Sequence, residues 1–151
     1  MGRTLGLDVG TRTIGLAVSD ELGWTAQGLP TLARRGLAAD LAALREVARE
    51  WDVERVVVGL PRNMNGSIGP QAQSVLDFAA QVKEAVGVPV VTWDERLSSV
   101  AAERTLLEAD LSRKKRRAAV DRLAAVFILQ GYLDRQAAVR VRRDGPADEP
   151  D

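Results

Sequence analysis

The sequence predicts an α/β fold, a mixed five-stranded sheet with helices on both faces. Three observations carry that expectation. Two apolar stretches of strand length near the start are joined by a link, Gly10-Thr11-Arg12, short enough for a hairpin. A β-branched run, Val56-Val57-Val58, shows no polar alternation, the pattern of a strand covered on both faces. From residue 37 onward, segments with helical spacing alternate with such strands, which calls for parallel pairing and crossover helices.

Each element has its own signal. Residues 4–9 are short and apolar and stop at Gly10; residues 13–19 alternate Ile14, Leu16 and Val18 with small residues. A third strand is expected over 26–34, at an edge or bulge because of Gly28 and Pro30. Leu37, Leu41, Leu44, Val47 and Trp51 follow helical spacing. After the 55–60 strand, residues 61–69 carry Gly, Pro, Asn and Ser and read as a loop. Pro70 suits the first position of a helix over 71–86, and Gly87 ends it. Residues 88–93 read as another parallel strand, and Ser98 or Ser99 caps a helix reaching residue 109. A basic loop at 112–116 then leads to a last helix over 117–138. The expected organisation is one domain over 1–138 and a polar tail over 139–151, expected to be disordered.

Composition removes much chemistry. The 151 residues include no His and no Cys. That excludes Ser-His-Asp and Cys-His sites, zinc-type clusters and thiol redox centres. Any metal must be a hard cation on oxygen ligands. No apolar run approaches the ~20 residues of a membrane span, and the N-terminus has no signal-peptide core. The expectation is a soluble cytoplasmic protein with no membrane partner. Formal net charge is zero, which read alone argues against nucleic acid, but the distribution is uneven. Residues 111–143 hold ten basic and two acidic side chains, a net +8; the remainder is −8.

Three acids stand out. Asp8 shares a strand face with Gly6, opposite Leu5, Leu7 and Val9. In a central strand its carboxylate enters a helix-covered face and needs a cation or hydrogen-bond donors; the plain alternative is capping by the Gly10-Thr11 amides. Asp94 and Glu95 follow a strand, where open α/β sheets bind ligands, and point in different directions, so one of them reaches a site. The alternatives are helix-entry acids favoured by the dipole, or an acid paired with Arg96. Asp121 borders the stripe of Val120, Ala124, Phe127, Ile128 and Gly131. Its partner is either Arg117, one turn back, or a metal shared with Asp8 and Glu95. Three separated acids without His or Cys form the minimal set for a divalent-metal nuclease.

Several motifs then coincide. The segment Gly6-Leu7-Asp8-Val9-Gly10-Thr11-Arg12-Thr13-Ile14-Gly15 resembles the first motif of the YqgF family, also called RuvX. Val57-Val58-Gly59-Leu60-Pro61-Arg62-Asn63-Met64-Asn65-Gly66-Ser67 resembles its second, and Asp94-Glu95-Arg96-Leu97-Ser98 its third. Ser112-Arg113-Lys114-Lys115 followed by Asp121-Arg122-Leu123-Ala124-Ala125 resembles its fourth. The resemblance spans residues 2–134. It implies a ribonuclease H-like fold and a nuclease using Mg²⁺ or Mn²⁺, with Asp8, Glu95 and Asp121 as catalytic, metal-binding acids. It further implies 5′-end processing of pre-16S ribosomal RNA or, by analogy with the RuvC resolvases, cleavage of four-way DNA junctions. Thr11 and Arg12 would lie near the site, and the loop with Arg62, Asn63 and Ser67 would approach the substrate backbone. The family pattern often has Asp where this chain has Asn65.

The residues agree with that implication. The Gly-rich 59–69 loop can bring backbone N–H groups to a phosphate. The run Arg113, Lys114, Lys115, Arg116 and Arg117 precedes Asp121 and would neutralise phosphates beside the acids. Aromatics are few, so backbone and shape recognition is expected over base stacking. The expected partner is structured RNA or branched DNA, and a four-way junction would call for a homodimer. Two rival readings share the fold. Asp8-Val9-Gly10-Thr11 also resembles the phosphate hairpin of sugar kinases, actin and Hsp70-type ATPases, which need two such domains to enclose ATP. The other rival is a non-catalytic nucleic-acid-binding module, against which the three intact acids argue.

Overall fold

The computed structural model describes residues 2–97 and 113–144, except the side chains of 113–121, 143 and 144. Its elements are β1 (Arg3–Val9), β2 (Thr13–Ser19), β3 (Ala26–Ala33), α1 (Leu37–Glu50), β4 (Val53–Leu60), α2 (Pro70–Val86), β5 (Val90–Asp94), a 3₁₀ turn (Glu95–Leu97) and α3 (Arg113–Asp144). The strands form one sheet in the order β3-β2-β1-β4-β5. β1 pairs antiparallel with β2, and β2 with β3; β1 pairs parallel with β4, and β4 with β5. The strand carrying Asp8 is therefore central. β3 lies at an edge, where Pro30 deprives the sheet of no interior donor, and its pairing with β2 shifts register between Ile14 and Leu16.

The connections explain the layers. β1 reaches β4, and β4 reaches β5, by steps in the same direction across the sheet. Right-handed crossovers then put α1 and α2 on one face. Leu5, Leu7, Ile14, Leu16, Val56 and Val58 meet Leu44, Phe78 and Val82 there. Each fully buried Leu or Val contributes about 1.5–3 kcal/mol. The other face belongs to α3: Ala17 and Val57 pack under Ala124, Ala125, Ile128 and Leu129. α2 begins on Pro70, and Gly87, at φ 77°, closes it with an N–H to the Lys83 carbonyl at 3.0 Å.

Two expectations need correction. β5 starts at Val90 and takes in Asp94, instead of covering 88–93. Pro89 has no N–H for the ladder, and only its carbonyl joins in, accepting the Val56 N–H at 2.9 Å. The basic loop expected at 112–116 is helical from Arg113, and the helix expected to end near 138 runs on to Asp144. Arg, Lys and Ala are good helix formers, and no Pro interrupts these 32 residues, about 48 Å of helix. The segment from 139 thus starts as helix. The helix expected up to residue 109 and the last seven residues lie outside the described ones.

Candidate active site

The site is built where α3 presses on small residues of the sheet. A Cβ at Gly6 would lie 2.8 Å from Leu129 Cβ and 3.3 Å from the Ala125 carbonyl, so the helix rests directly on β1. Asp8, two residues further along the same face, is half-buried. The pairing of Leu7 with Val58 sets Gly59 beside it on β4. A Cβ at Gly59 would meet Ile128 Cδ1 at 2.4 Å and Glu95 Oε1 at 3.0 Å. The Glu95 carboxylate therefore reaches back over β4 from the end of β5, onto the face that Asp8 enters from β1. Only glycine leaves room for it.

Asp121 lies on α3, one turn before Ala125. Along α3, Ala125 lies over Gly6, while Tyr132 accepts a 2.8 Å hydrogen bond from Arg55 near the start of β4. The helix thus runs against β1. Four residues of helix rise about 6 Å, and two residues of strand about 6.6 Å. One turn of helix back from Ala125 to residue 121 is thus about as long as the step from Gly6 to Asp8. Among the described residues no three acids form a metal-holding group; the Asp121 side chain lies outside them. Asp8 and Glu95, all-oxygen donors either side of a bare Gly59, suit a hard divalent cation.

Asp94 does different work from Glu95. It accepts the Arg96 backbone N–H at 2.9 Å, Arg96 Nε at 3.1 Å and Nη2 at 2.7 Å, with Arg62 Nε at 4.0 Å. The Arg96 guanidinium holds the Asp94 carboxyl below its usual range, against an opposing effect of burial. Arg96 Nη1 also donates to the Met64 carbonyl at 3.3 Å and packs on Gly66, whose φ of 88° favours glycine. The pair ties the end of β5 to the loop after β4. The two adjacent acids diverge as expected, and the pairing of one with Arg96 is realised.

The loop is held by its own polar groups. Asn63 Nδ2 donates to Ser67 Oγ at 2.9 Å, and Asn65 Oδ1 accepts from both the N–H and the hydroxyl of Ser67. The N–H groups of Arg62, Asn63 and Gly66 bond to carbonyls within residues 60–67. The N–H groups of Arg62, Asn63, Gly66 and Ser67 are thus committed inside the loop. Asn65 acts only through an acceptor oxygen, which an Asp would supply equally. Arg62 Nη1 approaches the Gly66 carbonyl at 3.4 Å, and Met64, 98% exposed, is the tip. Thr11 and Arg12 are exposed on the β1–β2 turn, which Gly10 N–H closes on the Thr13 carbonyl at 2.9 Å. Residues 113–117 form the first turns of α3. Sequence reasoning passed over Arg34 and Asp40, which lie behind that turn. An acid bordering an apolar stripe was the signal at Asp121, and Asp40, between Leu37 and Leu44 on α1, carries a similar one.

A family model described as "RuvX: Holliday junction resolvase" matches residues 2–135. This chain belongs to the RuvX family. Its RuvX relatives include a protein of Moorella thermoacetica, 65% identical over 133 residues, covering 88% of this chain and 95% of that one. A protein of Heliobacterium modesticaldum is 56% identical over 135 residues, covering 89% and 91%. Both carry the name "Putative pre-16S rRNA nuclease". Among solved structures, Thermus thermophilus RuvC in complex with Holliday junction substrate aligns with TM-score 0.57 at 17% identity, covering 90% of this chain and 97% of that one. The yeast mitochondrial Holliday junction resolvase Ydc2 aligns with TM-score 0.51 at 11% identity, covering 95% and 82%. These likenesses show the fold: a RuvC-like, ribonuclease H-like sheet. Among the described residues, no helix is long and apolar enough to cross a membrane.

Proposed function

We propose that this RuvX chain is a divalent-metal-dependent nuclease that cleaves phosphodiester bonds in 5′-end processing of pre-16S rRNA in the cytoplasm. The observation that carries the reading is the placement of Asp8 and Glu95 on one sheet face around Gly59, the face that α3, the helix carrying Asp121, covers. Relatives sharing more than half their residues with this chain and named for pre-16S rRNA support the substrate.

Asp8, Glu95 and Asp121 would hold Mg²⁺ or Mn²⁺. When bound, the cation supplies Lewis-acid stabilisation of the charge that builds on phosphodiester oxygens. The chain's own residues provide position. β1 and β4 fix Asp8 relative to Gly59, and the Asp94–Arg96 pair fixes the turn from which Glu95 reaches back. Thr11 and Arg12 on the neighbouring turn meet the flanking phosphates. Five cations in the first turns of α3 oppose the helix dipole, a cost that an anionic partner offsets.

Cleavage of a four-way DNA junction is the second reading, favoured by the description of the matching family model. It would place two sites on a symmetric junction and so calls for a homodimer. Parallel assays on a pre-16S rRNA leader and on a four-way junction, each with Mg²⁺, Mn²⁺ or a chelator, separate the readings. Cation-dependent cleavage of the RNA leader in preference to the junction is the expected result. Preferential junction cutting by a dimer would replace it with the second reading. Binding without cleavage of either substrate would leave a nucleic-acid-binding module.

A further inference from the structure

We propose that Arg34 and Asp40 are a positioning pair that sets the β1–β2 turn, and through it Asp8, from the sheet face opposite the candidate site. Arg34 follows β3 and holds the turn at two carbonyls. Its Nη1 donates to Gly10 O at 2.8 Å, and its backbone N–H donates to Arg12 O at 2.9 Å. The guanidinium is fixed in turn. Its Nε donates to Asp40 Oδ2 at 3.2 Å, and its plane lies over the Phe78 ring, 4.8 Å from the centroid. Asp40, on α1, is 2% exposed, and its other oxygen accepts the Arg35 N–H at 2.9 Å.

The arrangement suits positioning better than plain stability. A buried carboxylate paired with a part-exposed guanidinium gives little net stabilisation over an apolar pair of the same volume. What the pair adds is a donor aimed at one carbonyl, two residues from Asp8. A guanidinium has donors in separate fixed directions, so a single side chain can serve both Asp40 and Gly10; an ammonium is a point charge without that fork. Thr11 and Arg12 are exposed, and the bond of Gly10 to Thr13 lies within the turn. Arg34 thus connects the α1–α2 layer to the end of β1, while α3 covers the other face. Asp8 sits between a helix above and this clamp below.

The test pairs Arg34→Met/Asp40→Leu, which removes both charges together, with Arg34→Lys, which keeps a cation beside Asp40 but gives up the fork. Hydrogen exchange of the protein without metal or substrate is the first readout. Both variants should exchange the Gly10 amide about tenfold faster, the size of one lost hydrogen bond to a charged group, while Leu5 and Leu7 keep their protection. Turnover is the second readout and rests on the nuclease reading. The expected result is kcat lowered about tenfold at nearly unchanged KM, with Arg34→Lys intermediate and no recovery in the double variant at wild-type Tm. Unchanged Gly10 protection in both variants, or wild-type kcat in a double variant of wild-type Tm, would overturn the pair's role. A wild type that cleaves nothing would count against the nuclease reading alone, because the exchange readout still decides the clamp.

Discussion

Asp8, on β1, and Glu95, in the turn after β5, are half-buried carboxylates, and what lies between them is the missing side chain of Gly59. Replacing Gly59 with Ala puts a methyl 2.4 Å from Ile128 Cδ1 and 3.0 Å from Glu95 Oε1. The flexible end of Ile128 can give way, so the stability cost should be about 1–3 kcal/mol, the range for overpacking. Glu95 must move as well. Cleavage should therefore fall more than the Tm shift explains, which paired calorimetry and single-turnover rates would reveal. Equal Tm and rate effects would mean that the Glu95 position does not matter. At this scale the sequence was informative where an acid sat against its surroundings. Asp8 lay opposite three apolar residues of its strand, and Asp121 beside an apolar helical stripe. It was less informative where partners came from elsewhere. Arg34 contacts Gly10, 24 residues away, and no local pattern marks that meeting.

α3 is the element that closes the site, and its seating depends on more than apolar contact. Gln130 Oε1 accepts the Ala26 N–H at 2.9 Å, while its Nε2 donates to the Trp24 carbonyl at 2.9 Å, tying the helix to the start of β3. Gln130→Ala should cost about 1–3 kcal/mol, because it leaves a partly buried N–H without its acceptor. Chemical denaturation would measure this, and a change below a few tenths of a kcal/mol would mean that apolar packing alone seats the helix. The loop after β4 depends on Arg96. Arg96→Ala releases the Met64 carbonyl and Asp94 together, so KM should rise about three- to tenfold with a smaller change in kcat. A pure kcat effect would instead assign the residue to Glu95. Strand limits and the Pro70 and Gly87 signals were legible because each rests on local backbone chemistry. The start of α3 was not. A Lys/Arg run reads as a solvated loop by charge and as helix by propensity, and packing of the following Ala124 and Ala125 decided for helix.

Across the whole molecule, zero net charge conceals a +8 segment, residues 111–143, that takes in all of α3 but its last residue, and a −8 remainder that includes Asp8 and Glu95. α3 covers the face that both acids enter. Binding of structured RNA should therefore weaken steeply with salt, losing about 0.7–0.9 in the slope of log K against log salt per phosphate contact. Replacing Arg113, Lys114 and Lys115 with Gln should flatten that slope by about 2–3 units. An unchanged slope would place the RNA on another surface. The fold class was legible from the β-branched 55–60 run and the alternation after it. The closeness of α3 to the sheet was not, because it depends on Gly6, Gly28 and Gly59 meeting one helix from three strands. If carboxylates alone hold the cation that cleavage needs, the site fails without the charge of Asp8. Cleavage of a pre-16S rRNA leader in Mn²⁺ by the wild type and by folded Asp8→Asn measures this. Asp8→Asn should lose on the order of 10²-fold or more in rate with RNA binding retained; cleavage at the wild-type rate would rule out the carboxylate site.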